Sequence, residues 1–586
     1  MRQWMVAAKK ADFYAIAEKF HVDPVVARII RNREVIGEKN IRIYLGGNLS
    51  DLSDPHQMKD MDRLVEILVQ KIRKQVRIRI IGDYDVDGVT SSHLFLTALR
   101  RVGAKVDVVI PHRIQDGYGL SLHLLQQAKE DGVDTILTCD NGIAAIDEIA
   151  WAKAQKMTVL VTDHHAVPFE EHEGRRTEKK SLADAVVNPH QQDCGYPYKE
   201  LCGAGVAWNV IRVLYENYDM DKREAEDLLD FVAMATVCDV MSLTGENRIL
   251  VKEGLKRIRH TKNIGLQALM QACNVQPENI SAYHFGYVLG PCVNATGRLD
   301  TARHALRLFE TGQETEAEEI ARDLVDLNQE RKELTLQGVE MAKKLCEEGG
   351  YENDPVLVLF LPDVHESIAG LIAGRIREMY NRPVFVLTRG EEGVKGSGRS
   401  TENYSMYENM CGCAELFTKF GGHPMAAGLS LPEENVEKFR RKINENCPLT
   451  VEEVCPDIHI DMAMPVGYAS TELVHQFALL EPFGKDNPSP LFADRNLSIS
   501  RMWLIGKNRN VLRMSVLSEY GQPVPVIFFG DVETLFAYFT EKFGQKEVEN
   551  ALHGRKNRIL FSMVYTAKID FYQGNENLQL EMKYYR

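Results

Sequence analysis

Eight ionisable side chains recur in short clusters through the first half of the chain: Asp83, Asp85 and Asp87; Asp140; Asp163, His164 and His165; and Asp239. Three alternating aspartates followed by Gly88 and small hydroxyl residues exceed what an ordinary turn needs, which is one Asp and one Gly. Acids crowded this closely repel one another without a counter-charge, and a divalent cation is the simplest one. Carboxylates with one or two imidazoles form a hard-to-borderline donor set. It suits Mg²⁺ or Mn²⁺, with the histidines tilting it toward Mn²⁺. So many donors imply two ions. Two cations about 4 Å apart can share a bridging carboxylate, activate a water and steady the leaving oxygen of an in-line displacement. The chemistry that fits is hydrolysis of a phosphoester or phosphoanhydride. Each motif alone has a plainer reading: Asp163-His164-His165 as a loop with a capping Asp, Asp140-Asn141-Gly142 as a turn, Asp239 as a helix-end charge. The recurrence carries the inference.

The clusters follow a pattern of strand then helix. Residues 76–81, 106–110, 135–139, 158–162 and 185–188 are short apolar runs that read as strands, and 92–101 and 143–155 have helical spacing. The alternation predicts an α/β fold with a mostly parallel, doubly wound sheet. Ligands of such sheets bind in the crevice beyond the strand ends, where these acids fall. Asp239 lies in a strongly apolar stretch, 228–240, expected to be helical, where a lone acid is costly to bury unless paired or metal-bound. The charged stretch 170–180 reads as a solvated loop.

Residues 1–70 read as a helical lid or packing segment without chemistry of its own. A long charged periodic stretch over 313–348 predicts a helix that bridges two domains. A second α/β unit begins at Pro355, with strands at 356–361 and 384–387 and a helix over 368–379. Its glycine-rich stretches, 395–400 and 421–428, read most simply as tight turns. From about 455 several short candidate strands suggest a small barrel or sandwich, an OB-like barrel among them. Arg501, Trp503, Lys507 and Arg509 are candidate contacts for a single strand there.

The bulk numbers bound these readings. A chain of 586 residues implies several domains, and 44% apolar with 26% charged residues is ordinary for a globular protein. A net charge of -14 argues against a surface coated for duplex DNA but allows a local basic groove. The 11 cysteines include no CxxC pair, and Cys411-Gly412-Cys413 is a poor zinc signature. Reduced thiols, no transmembrane-length apolar run and no signal-like h-region predict a cytoplasmic protein with no membrane partner.

Asp83-Tyr-Asp-Val-Asp-Gly88, Cys139-Asp-Asn-Gly142, Asp163-His-His165 and Thr236-Val-Cys-Asp-Val240 resemble, in order and spacing, the four motifs of the DHH phosphoesterase superfamily. Lys395-Gly-Ser-Gly-Arg-Ser400 and Gly421-Gly-His-Pro-Met-Ala-Ala-Gly428 resemble motifs of its associated second domain. The stretches 111–120, 294–300 and 480–488 are similar to segments of the RecJ family of bacterial exonucleases, so the resemblance covers nearly the whole chain. It implies a helical segment over 1–70, a DHH phosphoesterase domain over 71–311 and a linking helix over 312–348. A DHH-associated α/β domain over 349–450 and an OB-like nucleic-acid-binding domain over 451–586 follow.

The activity implied is 5′-to-3′ degradation of single-stranded DNA with Mn²⁺ or Mg²⁺, in repair and recombination. The partners implied are single-stranded DNA, a single-strand-binding protein and a RecQ-type helicase. Carried over residue by residue, Asp83, Asp85, Asp87, Asp140, His164 and Asp239 form the metal shell, with Asp140 as bridge. Asp83 is either a ligand or an orienter of Asp85 and Asp87. His165 meets the scissile phosphate or a metal, and Asp163 orients the histidines. Arg113, Ser397 and Arg399 match positions around a terminal phosphate, and Arg298 and His423 contact the backbone nearby. The chain departs from the family at Lys485-Asp486, where relatives carry a second glycine, and at Val364, a tryptophan-like position. Two other readings stay in view. One is a DHH enzyme for short oligonucleotides or cyclic dinucleotides, which usually lacks the β-rich unit. The other is a non-catalytic replication scaffold, which would have lost metal ligands.

Overall fold

The computed structural model describes residues 3–112, 116, 119–172, 175–299, 301–351, 353–390, 393–506, 509–572 and 574–586. The chain forms two compact units. One comprises Leu52–Met241 and Ile249–Pro456, and the other Gln3–Asp51, Ser242–Arg248 and Asp457–Arg586. Most of the N-terminal helical stretch therefore belongs with the C-terminal β-rich region. Among the described residues no helix is long and apolar enough to cross a membrane.

In the first unit, β1 (Arg77–Ile81), β2 (Lys105–Val109), β3 (Thr135–Cys139), β4 (Thr158–Thr162) and β5 (Ala185–Val187) form a parallel sheet in the order β2-β1-β3-β4-β5. The chain order reverses beside β1, which makes the β1/β3 edge the switch point where such folds open a ligand crevice. The near-continuous Val, Ile and Leu runs reflect burial on both faces. Leu124, Leu125 and Ile149 pack on Ile136, Val159 and Val161. The alternate positions Leu137 and Leu160 are fully buried on the other side, where α1 (Val86–Arg101) and α2 (Gly203–Glu216) pack. The basic residues of β1 have a local use: Arg77 and Arg79 both donate to Asp107 on β2. The stretch expected as a solvated loop instead contains two antiparallel strands, Phe169–His172 and Arg175–Glu178.

Several helices follow, among them α3 (Leu229–Cys238) and α4 (Gly290–Leu299), and then comes α5 (Glu314–Glu348), which spans 35 residues as the periodicity predicts. The first half of α5 buries Ala317, Ile320 and Leu324. Its second half places Val339, Ala342 and Cys346 in the core of the second α/β part, against α6 (Glu366–Tyr380). That part has β6 (Leu357–Phe360), β7 (Val384–Gly390), β8 (Gly393–Arg399), β9 (Lys419–His423) and β10 (Ala426–Leu431), in the order β9-β10-β8-β7-β6. The first glycine-rich stretch is a strand rather than a turn, whereas the second is the facing ends of β9 and β10 with a tight turn at Pro424-Met425 between them. A Cβ on Gly398 would lie 2.3 Å from Met406 Sδ and 2.8 Å from Phe385 Cε1, so the core side of β8 has no room for a side chain there.

The second unit carries a six-stranded sheet built from Met462–Ala463, Phe492–Ile505, Val511–Leu517, Pro523–Phe528, Leu560–Tyr572 and Asn575–Tyr585. Trp4–Val6 pairs in parallel with Ile458–Ile460, and Val25, Val26, Ile29 and Ile30 join the same core as Phe492 and Tyr565. Arg248, 1% exposed, pins this unit. Its guanidinium donates at 2.8 Å to the carbonyls of Tyr44, Leu480 and Leu479 and lies 4.0 Å over the Tyr44 ring. Asp486 has φ +60°, a left-handed conformation that glycine adopts freely.

Candidate metal centre and the adjoining cavity

Each strand end delivers its donors through a local device. Asp85 caps α1, accepting from Gly88 N at 3.0 Å, and so turns the chain directly out of β1. Asp140 follows β3 with φ +61°, a left-handed conformation uncommon outside glycine that holds its carboxylate over the crevice. Asn141 braces that bend by donating to Ile81 O and Cys139 O. After β4, Asp163 Oδ1 accepts from His164 N (2.7 Å), His165 N (3.0 Å) and His165 Nδ1 (2.8 Å), while Oδ2 accepts from Ile143 N (2.9 Å). Asn188 Nδ2 donates to His165 O and fixes the same loop. Asp239 is not inside an apolar helix as the sequence suggests. It is the C-cap of α3, with a side chain 27% exposed, so the cost of burying it is reduced by water.

The donors converge. Asp140 groups with His164 and His165, His164 groups with Asp87 and Asp239, and Asp140 groups with Asp83 and Asp85, the ligand atoms of each set lying within 4.8 Å of one another. Asp140 and His164 belong to two sets each. His164 Nε2 lies 3.1 Å from Asp140 Oδ1, 3.6 Å from Asp239 Oδ2 and 3.7 Å from Asp87 Oδ2. It is buried yet makes no hydrogen bond of acceptable geometry among the described residues. An imidazole nitrogen aimed among three carboxylate oxygens, but bonded to none, is what a cation between them would require. The oxygen-rich donor set with imidazole fits Mn²⁺ or Mg²⁺.

The charges support that fit. Burial, with the charges of Asp87, Asp85, Asp239 and Asp83, raises the Asp140 carboxyl well above the usual carboxylate range. Burial and Asp87 raise Asp85. A shared cation would reverse this repulsion. Burial keeps His164 below the ordinary imidazole range, in its neutral, ligating form, against the charge of Asp87. Burial also opposes charge on His165, but the hydrogen bond and charge of Asp163 push it up to about 9. Asp163 is held low despite its burial by the His165 hydrogen bond and the Ile143 N–H, and three of its four hydrogen bonds go to the His164-His165 pair.

Sequence reasoning missed the N-terminus of α2. Gly203 N donates to Asp87 Oδ2 at 2.6 Å and Ala204 N to Asp87 Oδ1 at 2.7 Å, a helix N-terminus gripping an anionic side chain. Gly203 also lies against Asp140: a Cβ there would be 2.6 Å from Asp140 Cβ and 2.8 Å from its Oδ1. The glycine-rich start of the apolar stretch after Cys202 was the available signal. Asn294 was missed as well; its Oδ1 accepts from Val86 N in the first turn of α1.

A cavity of about 520 Å³ opens in the same unit, lined by Tyr84, Arg298, Lys395, Ser397, Arg399 and Lys419 among others. Tyr84 lies between Asp83 and Asp85, so the cavity reaches the loop of the aspartates. Arg298 Nη1 donates to Ser367 O at 2.6 Å, and Arg399 Nη1 to Ser397 Oγ at 3.2 Å. Gly370 of α6 leaves room for both: a Cβ would stand 2.7 Å from Ser397 Oγ and 2.8 Å from Arg399 Nη2. His423 is exposed and does not line the cavity; Ala426 of β10 separates it from Arg399 across the sheet. Arg113 and Lys507 lie outside the described residues. In the second unit Trp503 is half-buried, its ring 5.8 Å from the guanidinium carbons of both Arg501 and Arg513.

Comparison with known proteins matches three successive stretches of the chain. The family model for the DHH family, N-terminal domain, matches residues 77–236, the DHHA1 domain matches 353–447 and the RecJ OB domain matches 460–584. The single-stranded-DNA-specific exonuclease RecJ of Haemophilus influenzae is 32% identical over 582 residues, covering 96% of each chain. The protein of the same name from Bacillus subtilis is 33% identical over 512 residues, 87% of this chain and 63% of that longer one. The crystal structure of RecJ in complex with Mn²⁺ from Thermus thermophilus superposes with a TM-score of 0.81 at 25% identity, covering 100% of this chain and 79% of that one. With three successive domain matches and a near full-length relative, the chain belongs to the RecJ family of DHH proteins.

Proposed function

We propose that the chain is a metal-dependent exodeoxyribonuclease specific for single-stranded DNA, working from the 5′ end by a two-metal mechanism in repair and recombination. The observation that carries this reading is the juxtaposition, in one compact unit, of the donor sets centred on Asp140 and His164 with a cation-lined cavity that starts at Tyr84. Asp83, Asp85, Asp87, Asp140, His164 and Asp239 would hold the ions, with Asp140 shared. When bound, Mn²⁺ or Mg²⁺ supplies the Lewis acidity for in-line phosphoryl displacement.

The chain's own residues do the rest. The α2 N–H groups hold Asp87 in one orientation, and Asp163 holds the His165 ring through Nδ1, 4.0 Å from Asp140 Oδ1. With its pKa at about 9, His165 carries a proton at neutral pH and donates a charge-assisted hydrogen bond to a phosphate oxygen. Arg399 and Ser397, with Arg298 and Arg113 as further guanidiniums, clamp the terminal 5′-phosphate. A guanidinium fork matches phosphate oxygens. Anchoring one end beside the metals makes the activity exonucleolytic. His423 serves the backbone outside the cavity. The OB unit then holds the following strand by cationic and stacking contacts, with Trp503 between Arg501 and Arg513 as a candidate platform. A cytoplasmic location, a single-strand-binding protein and a RecQ-type helicase complete the expected setting.

The test is Mn²⁺-dependent degradation of single strands labelled at either end, with duplex and cyclic-dinucleotide controls. Loss of activity in Asp140→Ala, and a larger loss on 5′-phosphorylated than on 5′-hydroxyl ends in Arg399→Ala, are expected. Activity surviving Asp140→Ala, preference for cyclic dinucleotides, or equal loss on both ends in Arg399→Ala would overturn the reading.

A further inference from the structure

Just before α4 the chain runs Ser281-Ala-Tyr-His-Phe-Gly-Tyr-Val-Leu289, a short helical turn continued by a π-helical turn over Phe285–Leu289. Phe285 and Leu289 are fully buried. Tyr283 and Tyr287 point the other way, 62% and 71% exposed. Their rings stack on each other at 5.1 Å with an interplanar angle of 24°. Among the described residues only one other ring pair is stacked in this way, Phe477 with Phe492, and both of those rings are buried. Solvated rings contribute little to the core, so the fold does not explain the exposed pair.

Its position does. The backbone that carries the tyrosines is seated on the end of α3. Cys238 Sγ donates to Phe285 O at 3.3 Å, and a Cβ on Gly286 would touch Val237 Cγ1 at 3.5 Å. Gly290 packs so closely on Cys238 that a Cβ would lie 2.3 Å from its Sγ. The next residue after Cys238 is Asp239, which groups with Asp87 and His164 in the candidate metal centre. The aromatic pair is thus continuous with the rim of that centre, on the Asp239 side. Residues 281–289 include no Asp or Glu, so nothing on this segment repels a phosphodiester backbone in a chain of net charge -14. Turns of π-helix recur at functional sites, and here one carries Tyr287 and follows closely on Tyr283, while its Phe285 and Leu289 stay in the core.

We propose that Tyr283 and Tyr287 form a stacking station for unpaired nucleobases of the strand being degraded, within a few nucleotides of the cut. The assignment rests on the nuclease reading above. Flat rings with exposed faces accept any base, which suits an enzyme without sequence preference. A base held in a duplex stack cannot present its face to them, so the station favours single strands.

An abasic-site scan tests this. Single-stranded oligonucleotides with one abasic site, moved a nucleotide at a time from the 5′ end, are degraded by the wild type, by Tyr283→Ala/Tyr287→Ala and by Tyr283→Phe/Tyr287→Phe. For the wild type, KM rises about 5- to 150-fold when the abasic site occupies the station, the range expected for losing one base–aromatic stack. The double alanine variant shows that raised KM on intact strands, no further rise at the same position, and an unchanged kcat. The double phenylalanine variant, which keeps the ring faces, behaves as the wild type. Thermal melting of both variants coincides with the wild type because neither side chain is in the core. An abasic profile identical in wild type and alanine variant, or equal losses in the alanine and phenylalanine variants, overturns the station while leaving the nuclease standing. Failure of the wild type to degrade any single strand overturns both.

Discussion

Replacing Gly203 with alanine tests whether the α2 N-terminus organises the metal centre. The added methyl would sit 2.6 Å from Asp140 Cβ and 2.8 Å from Asp140 Oδ1, against an optimal carbon contact of about 3.5–4.0 Å. Something must therefore move by about 1 Å. If Asp140 moves, the carboxylate shared by two donor sets is displaced; if α2 moves, its N–H groups leave Asp87. Overpacking of this kind costs about 1–3 kcal/mol of stability, and a 1 Å misplacement at a reacting centre costs about 100-fold in rate. Alanine is otherwise the better helix former by about 1 kcal/mol. Gly205→Ala on the same helix isolates that term, because its Cβ would meet Leu201 Cδ2 at an ordinary 3.4 Å. Initial rates on a 5′-phosphorylated single strand across a Mn²⁺ titration, with thermal melts of both variants, decide the matter. Gly203→Ala should lose about 100-fold in rate and need more Mn²⁺ for half-saturation, while Gly205→Ala stays near the wild type. Wild-type rates and an unchanged Mn²⁺ midpoint in Gly203→Ala would refute the reasoning, as would an equal loss in Gly205→Ala.

Asp163→Asn should lower kcat/KM by about 10- to 100-fold, the usual cost of removing an orienting partner. The ratio of wild-type to variant rate should widen between pH 6 and pH 8.5. Against burial, the hydrogen bond and charge of Asp163, with the charges of Asp239 and Asp87, raise His165 to about 9; without Asp163 the ring loses its proton at lower pH, and a flat ratio would sink this role for the pair. Asp230 is buried, and burial raises its carboxyl from 3.8 to about 6 against hydrogen bonds from Thr261 Oγ1 and Phe231 N. Between those values the folded state binds more protons than the unfolded one, so stability falls as pH rises through the window and the full cost, about 3 kcal/mol, stands above it. Asp230→Asn should therefore gain melting temperature over the wild type as pH rises from 4.5 to 7, and a pH-independent difference would contradict the assignment.

Local order was legible in the sequence wherever one physical pattern dominated. The parallel strands appear within a residue or two of their expected positions because burial on both faces demands unbroken Val, Ile and Leu runs. The donor residues fall after those strands because the switch point beside β1 leaves a crevice there. Where two causes competed, the sequence misled. Glycine suggested turns at 395–400, but Gly398 is glycine because Met406 and Phe385 occupy its side-chain space within a strand. The apolar run around Asp239 suggested a helix interior, but the helix ends at Cys238 and Asp239 caps it. Contacts between distant segments left no local trace. Gly203 reaches Asp87 across 116 residues, and Arg248 joins Tyr44 to Leu480 across 204 and 232. Nor does periodicity reveal that the helices before residue 52 share a core with strands beyond 457.

The close packing of α5 on α6 ties the join between the two α/β parts to the cavity. Gly338 of α5 sits so near Ile372 that a Cβ would lie 2.3 Å from its Cδ1. Within the same turn of α6, Gly370 faces Ser397 and Arg399 with similarly little clearance. The helix that joins the two α/β parts is thus keyed, without an intervening loop, to the helix that backs the cationic cavity. Such a linkage has no slack: bulk added at Gly338 would have to displace α6, and with it Gly370 at the back of the cavity.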